Sequence, residues 1–483
     1  MDGTQGFLLG AAAAAAATAI THVNNPIGSS GEEGKTKPTL TERIKSTLSS
    51  SRLSRLSLSN SNSNLDGDRP SRPAKKHVGI HGISVYTPAT YISQSELEAH
   101  NGVSSGKYTL GLGQNNMAIT GDNEDINSIA LTAVKSLLEK YGISPSEVGR
   151  LEVGTETLVD KSKSTKTVLM SLFEGNSDIE GATVLNACYG GTSALLNAFN
   201  WCESEGWDGR FAIVVAADIA AYARGPARPT CGVGACAILI GRDAPLSFNP
   251  KTKATHAANV WDFFKPDHTV EYPVVDGALS QVCYYKALED CYNRLCEKID
   301  NVGDDDDQIG SMRPFDAETA DFLCFHAPYN KLVQKSYARL YLVDARRRYE
   351  RTGVVDVRDN DLQDWITCPI EETYSSRELD NLLKTKSSGS FKQRLTSANA
   401  FSKEIGNTYT ASVFMGLASL LSKEGQEKGR LTDGKEIVMF SYGSGAMATM
   451  YKLTCRKPTN QQRFSICGIS RCLNLDQVLV DRE

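Results

Sequence analysis

The segment Val184-Leu-Asn-Ala-Cys188-Tyr-Gly-Gly-Thr-Ser-Ala-Leu-Leu runs from an apolar stretch into a cysteine and then into small residues that suit a helix. That order places the Cys188 sulfur at a strand-to-helix turn, near the positive end of a helix dipole, where the nucleophilic thiolate is favoured. Gly190 and Gly191 permit a tight turn and leave room for a substrate. A buried structural cysteine is the competing reading, and the glycine turn favours the nucleophile. A thiol nucleophile needs partners that move protons or hold its substrate. Among the seven histidines, His326 in Phe322-Leu-Cys-Phe-His326-Ala-Pro-Tyr-Asn is best placed, because it too ends an apolar strand. His22, His77, His81, His100, His256 and His268 fall in polar or terminal contexts. Glu156 follows a strand and a glycine in Glu152-Val-Gly-Thr-Glu156-Thr-Leu-Val-Asp160-Lys-Ser-Lys. A carboxyl group beside a buried site has its pKa raised and can act as a base on carbon. On the surface it would pair with Lys161 or Lys163 instead. Gly406-Asn407-Thr-Tyr409 and Ser441-Tyr-Gly-Ser444-Gly445 are glycine-rich turns whose amide and hydroxyl donors suit a thioester carbonyl or an oxyanion.

These residues need elements to carry them. Val78-Gly-Ile-His-Gly-Ile-Ser-Val reads as a strand closed by Pro88. Between residues 126 and 141, Ile129, Ala130, Ala133, Val134, Leu137 and Leu138 form a helical stripe. Strands are predicted at 151–154, 183–185, 211–216, 235–240, 322–325 and 437–440. Such alternation from His77 to about Leu453 predicts the α/β class. The four aspartates at 304–307 read as a solvated loop.

Composition sets limits. The 483 residues suffice for one large domain or two fused halves sharing a core. Hydrophobic residues at 40% and charged residues at 23% suit a soluble globular chain, and a net charge of -5 offers no global basic field for nucleic acid. The twelve cysteines include no C-x-x-C pair, and Cys231/Cys236, Cys291/Cys296 and Cys467/Cys472 are too loosely spaced for the common zinc signatures. No metal site is expected, and a reducing compartment fits. Residues 1–76 contain one aromatic residue, Phe7, an alanine run and a serine-rich stretch, and are net basic. They hold too little apolar surface to offset chain entropy and are predicted to be disordered. The alanine run is too short to span a membrane. No basic residue precedes it, and the Arg/Ser stretch follows Glu32, Glu33 and Glu42, so a cytoplasmic tail is preferred over an organelle address.

Taken together, Gly106-Lys-Tyr-Thr-Leu-Gly-Leu-Gly-Gln, the Glu156 and Cys188 strings, Ala227-Arg-Pro-Thr, Glu271-Tyr-Pro-Val-Val-Asp-Gly, Pro328-Tyr-Asn-Lys-Leu-Val-Gln-Lys and Phe440-Ser-Tyr-Gly-Ser-Gly resemble the 3-hydroxy-3-methylglutaryl-CoA synthase family, in family order from His77 to about Leu453. The resemblance implies a thiolase-like, five-layer αβαβα fold built from two similar halves. The halves would span 77–250, carrying the nucleophile, and 251–455, with a disordered extension at 1–76 and an atypical short tail at 456–483. It implies acetyl-CoA and acetoacetyl-CoA as substrates, a homodimer, no metal or redox cofactor, no membrane span, and a place in mevalonate-type isoprenoid synthesis. Cys188 would form an acetyl thioester, Glu156 would remove a methyl proton, and His326 would hold the acetoacetyl group. Thr230, Ser280, Lys331, Lys335, Asn407 and Ser444 match substrate-contacting positions, while Asp160, Asp218, Asp262, Tyr189, Tyr409 and Gly445 match supporting ones. The chain departs from the family pattern at Pro226, at Ser104 and over 456–483, where much of the family's terminal region is missing. That loss is expected to uncover a sheet edge and apolar surface. The string from Glu156 to Asp160 separates the chain from ketoacyl synthases of the Cys-His-Asn type. Ser444 stands where a thiolase would carry a second cysteine. A non-catalytic product of the same family is the reading that the tail keeps open.

Overall fold

The computed structural model describes residues 77–301, 314–473 and 475–480, so the readings made for 1–76 and 304–307 lie outside the described residues. Among the described residues, nine strands share one sheet. They are β1 (Val78–Tyr86), β2 (Val148–Gly154), β3 (Thr183–Val184), β4 (Phe211–Ala220), β5 (Gly232–Arg242), β6 (Leu246–Ala257), β7 (Phe322–Phe325), β8 (Glu436–Gly443) and β9 (Met447–Cys455). Their spatial order is β7-β8-β9-β6-β1-β5-β4-β2-β3. β1, β4 and β5 are almost wholly buried, which is why they read as continuous apolar runs instead of alternating ones.

The order contains a repeat. In the first half β2 runs parallel to β4, β4 turns back antiparallel into β5, and β5 pairs antiparallel with β1. In the second half β7 and β8 are parallel, β8 turns into β9, and β9 pairs with β6. The first strands of the two halves, β1 and β6, meet through Gly79 and Ile80 against Ser247 and Leu246. A Cβ on Gly79 would lie 2.1 Å from the Leu246 carbonyl oxygen, so this junction requires glycine.

The helices complete the layers. α1 (Ile126–Tyr141) is fixed by an Asp125–Ser128 capping box and a left-handed Gly142, and it covers β1, β4 and β5. α2 (Gly190–Glu203) lies on β2 and β4, and its Phe199 stacks on Phe248 of β6, with ring centroids 4.6 Å apart. α3 (Gly277–Asn301) covers β6 and β9, and α4 (Asn330–Thr352) packs between α3 and α5 (Arg377–Arg394). α6 (Ser412–Leu421) is buried along its whole length and touches β7 and β8 of one half and β1 and β5 of the other. α2 and α6 are therefore the middle layer of the αβαβα arrangement. No helix among the described residues is long and apolar enough to cross a membrane.

Two expectations are corrected here. The tail does not leave this part of the core bare: Phe464, Ile469, Leu473 and Leu475 join the first half's core, and α7 (Ile466–Leu473) lies along β1. A few well-spaced apolar contacts suffice even though the tail's periodicity is weak. His81 is not in a polar setting. β1 is covered on both faces, and the imidazole is buried between Phe211 and Phe464, with ring centroids at 5.4 and 4.5 Å.

Candidate active site

Cys188 sits where β3 gives way to α2. The preceding Ala187 takes φ +42°, a left-handed conformation that costs an L-residue about 1 kcal/mol or more and turns the chain sharply before the helix begins at Gly190. The Cys188 thiol donates toward Glu156 Oε1 at 3.6 Å. Burial first, then the charge of Asp218, raises the Glu156 carboxyl to about 8, with Lys265 pulling the other way. The Glu156–Lys265 separation is 3.8 Å. Glu156 therefore pairs with neither Lys161 nor Lys163.

The expectation that the helix terminus favours a resting thiolate is not met. Burial, followed by the adjacent Glu156 and Asp218 carboxylates, pushes the Cys188 thiol well above its ordinary value. In the resting site the sulfur keeps its proton and shares it with a carboxylate that is itself half-titrated near pH 8.

Asp218, fully buried on β4, organises this corner. Its Oδ1 accepts from the Glu156 and Thr157 amides at 2.8 and 3.0 Å and from the Thr155 and Thr157 hydroxyls at 2.9 Å. Its Oδ2 accepts from the amide and hydroxyl of Thr410. One carboxylate thus ties the loop after β2 to the turn before α6. In that turn the Asn407 amide donates to the Thr230 carbonyl, and Asn407 Oδ1 accepts from the Tyr409 amide at 3.0 Å. Tyr409 takes φ +42°, the same value as Ala187 in the matching turn of the first half.

His326 follows β7, with its amide bonded to the Phe440 carbonyl of β8 and its own carbonyl accepting from the Tyr284 hydroxyl at 2.7 Å. Burial lowers its imidazole to about 3, so the ring is neutral and acts by hydrogen bonding. At the end of β8, a Cβ on Gly443 would lie 2.5 Å from the Tyr189 amide nitrogen, which sets the Ser444–Gly445 loop directly against the nucleophile turn. Buried Asp262 holds that loop by accepting from the Gly445 amide and the Tyr442 hydroxyl. Tyr189 shares a 2.7 Å hydrogen bond with Thr449 of β9. The ends of β3, β7 and β8 therefore converge.

Other sequence candidates lie apart from this cluster. Asp160 is exposed and caps the Ser162 and Lys163 amides, which lower its pKa. Lys335 pairs with Asp380 of α5 at 3.3 Å, the Lys331 amide donates to the Leu112 carbonyl, and the Ser280 amide donates to the Asp276 carbonyl at the start of α3. Sequence reasoning missed Lys384, whose ammonium is lowered by burial and by the nearby Lys335 and Lys331. It also missed Lys265 and the two rings, Tyr222 and Phe263, that meet the expected Tyr409 edge to face. Only the neighbouring Glu271 string gave any signal for Lys265.

The family model for the N-terminal region of hydroxymethylglutaryl-coenzyme A synthase matches residues 74–245, and that for its C-terminal region matches 246–483. This chain belongs to the hydroxymethylglutaryl-CoA synthase family. It is 47% identical to hydroxymethylglutaryl-CoA synthase A of Dictyostelium discoideum over 387 residues, covering 80% of this chain and 77% of that protein. Against the cytoplasmic hydroxymethylglutaryl-CoA synthase of Homo sapiens it is 47% identical over 380 residues, covering 78% and 72%. Among solved structures, MvaS in complex with 3-hydroxy-3-methylglutaryl coenzyme A superposes with a TM-score of 0.71 at 30% identity, covering 85% of this chain and 89% of that one. Family membership and this likeness agree with the layered fold described above. They make the chain an enzyme, a transferase of thiolase-like fold.

Proposed function

We propose that this chain condenses acetyl-CoA with acetoacetyl-CoA and water to give 3-hydroxy-3-methylglutaryl-CoA and CoA, with Cys188, Glu156 and His326 as catalytic residues. The observation that carries the assignment of roles is the pair of half-buried Cys188 thiol and buried Glu156 carboxyl, 3.6 Å apart. In the first stage the Cys188 sulfur attacks the acetyl thioester, its proton leaves with the departing CoA as the free CoA thiol, and acetyl-cysteine forms. Glu156, as carboxylate, then takes a proton from the acetyl methyl group, and the resulting carbanion equivalent attacks the ketone carbon of acetoacetyl-CoA. The new alkoxide is protonated, while neutral His326 donates a hydrogen bond to the acetoacetyl thioester carbonyl. Water finally cleaves the cysteine thioester, restoring the thiol and releasing a carboxylate and one proton. The steps are acyl transfers, proton transfers and one carbon–carbon bond formation, with no net redox change, so the scheme uses no redox cofactor and assigns no step to a metal.

Lys331, Lys335 and Lys384 supply cationic charge suited to the phosphates of CoA. A homodimer is part of the proposal: β3 is a two-residue edge strand, and Leu185, the next residue in the chain, is exposed. The cytoplasm is the proposed location, following the name of the human relative, with the product feeding isoprenoid synthesis. Incubation with labelled acetyl-CoA tests the assignment. Label should appear on the peptide carrying Cys188 and vanish in Cys188→Ser, and Glu156→Ala should still acetylate but lose condensation. Label on Cys231 or Cys324, or a Glu156→Ala enzyme that condenses normally, would overturn the roles.

A further inference from the structure

The two oxygens of Glu156 face different partners. Oε1 looks toward Cys188 Sγ at 3.6 Å, and Oε2 lies 3.8 Å from Lys265 Nζ. Lys265 follows a short two-stranded ribbon, in which Phe263 and Phe264 pair with Val275 and Val274. Phe263 packs edge-on against Tyr222 and Tyr409, which seats the ribbon beside the turn carrying Asn407. The Lys265 ammonium lies 5.7 Å from the centre of the Tyr409 ring and 3.4 Å from Glu271 Oε2. Glu271 is exposed, so the row Cys188, Glu156, Lys265, Glu271 runs from a half-buried thiol through a buried carboxyl to the surface.

We propose that Lys265 is a positioning residue for the catalytic base: it holds one oxygen of Glu156 so that the other faces the Cys188 sulfur, and Glu271 anchors Lys265 in turn. This inference rests on the reading of Glu156 as the base of the condensation. The terminal torsion of a glutamate is broad and soft, so one weak contact to a thiol cannot fix the carboxylate plane, whereas contacts on both oxygens can. The groups facing Glu156 are Asp218 from β4, Cys188 from the nucleophile turn, and Lys265 and Glu271 from the ribbon, with Tyr222 and Tyr409 alongside. Asp218 and Glu271 disfavour the carboxylate, and Lys265 favours it. Lys265 therefore sets both the aim of the base and the fraction of it that is ionised.

The test is the pH dependence of CoA release with both substrates, from roughly pH 6 to pH 10. The wild-type rate should rise with pH as Glu156 ionises. Lys265→Met removes the favouring cation and should displace that limb upward by about one pH unit, lowering kcat near neutrality more than it changes KM. Lys265→Arg should restore the limb. Glu271→Gln, which keeps a side-chain oxygen for Lys265 but removes a charge that disfavours the Glu156 carboxylate, should displace it downward. Limbs that superimpose for Lys265→Met and Glu271→Gln, or a Lys265→Arg enzyme as impaired as Lys265→Met, would overturn the inference. A Glu156→Ala enzyme that condenses at the wild-type rate would instead overturn the reading of Glu156 as base.

Discussion

Asp218 shows how much of this site depends on one acceptor. Six donors from two segments converge on its two oxygens, and all of them belong to buried residues. In Asp218→Asn one oxygen becomes an NH2 group that must face either the Thr410 amide and hydroxyl or the donors around Glu156. Leaving buried donors unmatched costs about 1–3 kcal/mol each, so the variant should lose about 2–4 kcal/mol of stability, and condensation should fall about 100-fold as Glu156 loses its placement. Urea unfolding and CoA release would check both, and a variant of wild-type stability and rate would refute the account. The same residue explains what the sequence made legible. Cys188, Glu156 and His326 were readable because each ends an apolar strand, which is a local pattern. The partners that set their protonation have no such local pattern, and Asp218 was named only through the family resemblance, because it lies 62 residues from the Glu156 amide it holds and 192 from Thr410. For that reason the local helix-terminus argument gave the wrong direction for the Cys188 thiol: burial and two distant carboxylates outweigh the dipole.

At the scale of elements, α1 was legible over its full length, residues 126–141, because one face is apolar, the other polar, and both ends are capped. The strand expected at 322–325 also coincides with β7. β6 was not read, because the polar stretch from Asn249 to Lys253 contains a proline and looks like a loop. In the structure the β9 ladder passes from Lys253 to Phe248, skipping that stretch, so the strand survives as two paired ends around an excursion. α4 was expected only as a helix somewhere after His326, without bounds: its buried face includes Ser336, Arg339 and Asp344, so apolar spacing understates its burial. The Arg339 guanidinium bonds Glu289 and Thr373 and faces the rings of Tyr285 and Tyr374. In Arg339→Leu, Glu289 would keep the Tyr374 hydroxyl but lose its counter-ion in a buried site. Breaking a buried pair from one side costs about 3–5 kcal/mol. Urea unfolding should show a loss of that size, and a change below about 1 kcal/mol would mean that water or the tyrosines already compensate the charge. A close approach of comparable consequence occurs at Gly191, where a Cβ would lie 2.7 Å from the Thr410 carbonyl oxygen and 3.0 Å from Phe414. There α2 meets α6 only because no side chain intervenes.

Across the described residues the two halves repeat one strand order, and the candidate catalytic groups lie where the matching turns of the halves meet. Cys188 comes from the turn before α2, and Asn407 from the turn before α6. Stability is then shared between the halves and the segment that returns to cover the first of them. That segment places Phe464 on His81, whose Nε2 faces the Arg242 carbonyl at 3.1 Å while Nδ1 has no partner. Burial, the largest influence, lowers the His81 imidazole to about 4, with Arg463 contributing in the same direction and the Arg242 carbonyl and Asp243 opposing. A histidine with a depressed folded pKa is neutral in the native state, whereas the unfolded chain binds a proton below about pH 6.5. Stability is therefore intact above that value and is lost as pH falls toward 4, by roughly 2 kcal/mol at about pH 5. His326, lowered to about 3, adds a loss of the same sign, so His81 must be isolated by difference. Urea unfolding of wild type and His81→Leu at about pH 7 and about pH 5 separates the two. The wild type should lose about 2 kcal/mol more than the variant between those conditions, because leucine has no proton to bind. Equal losses would show that the imidazole is protonated without leaving its aromatic seat, and that the returning segment yields to acid for another reason.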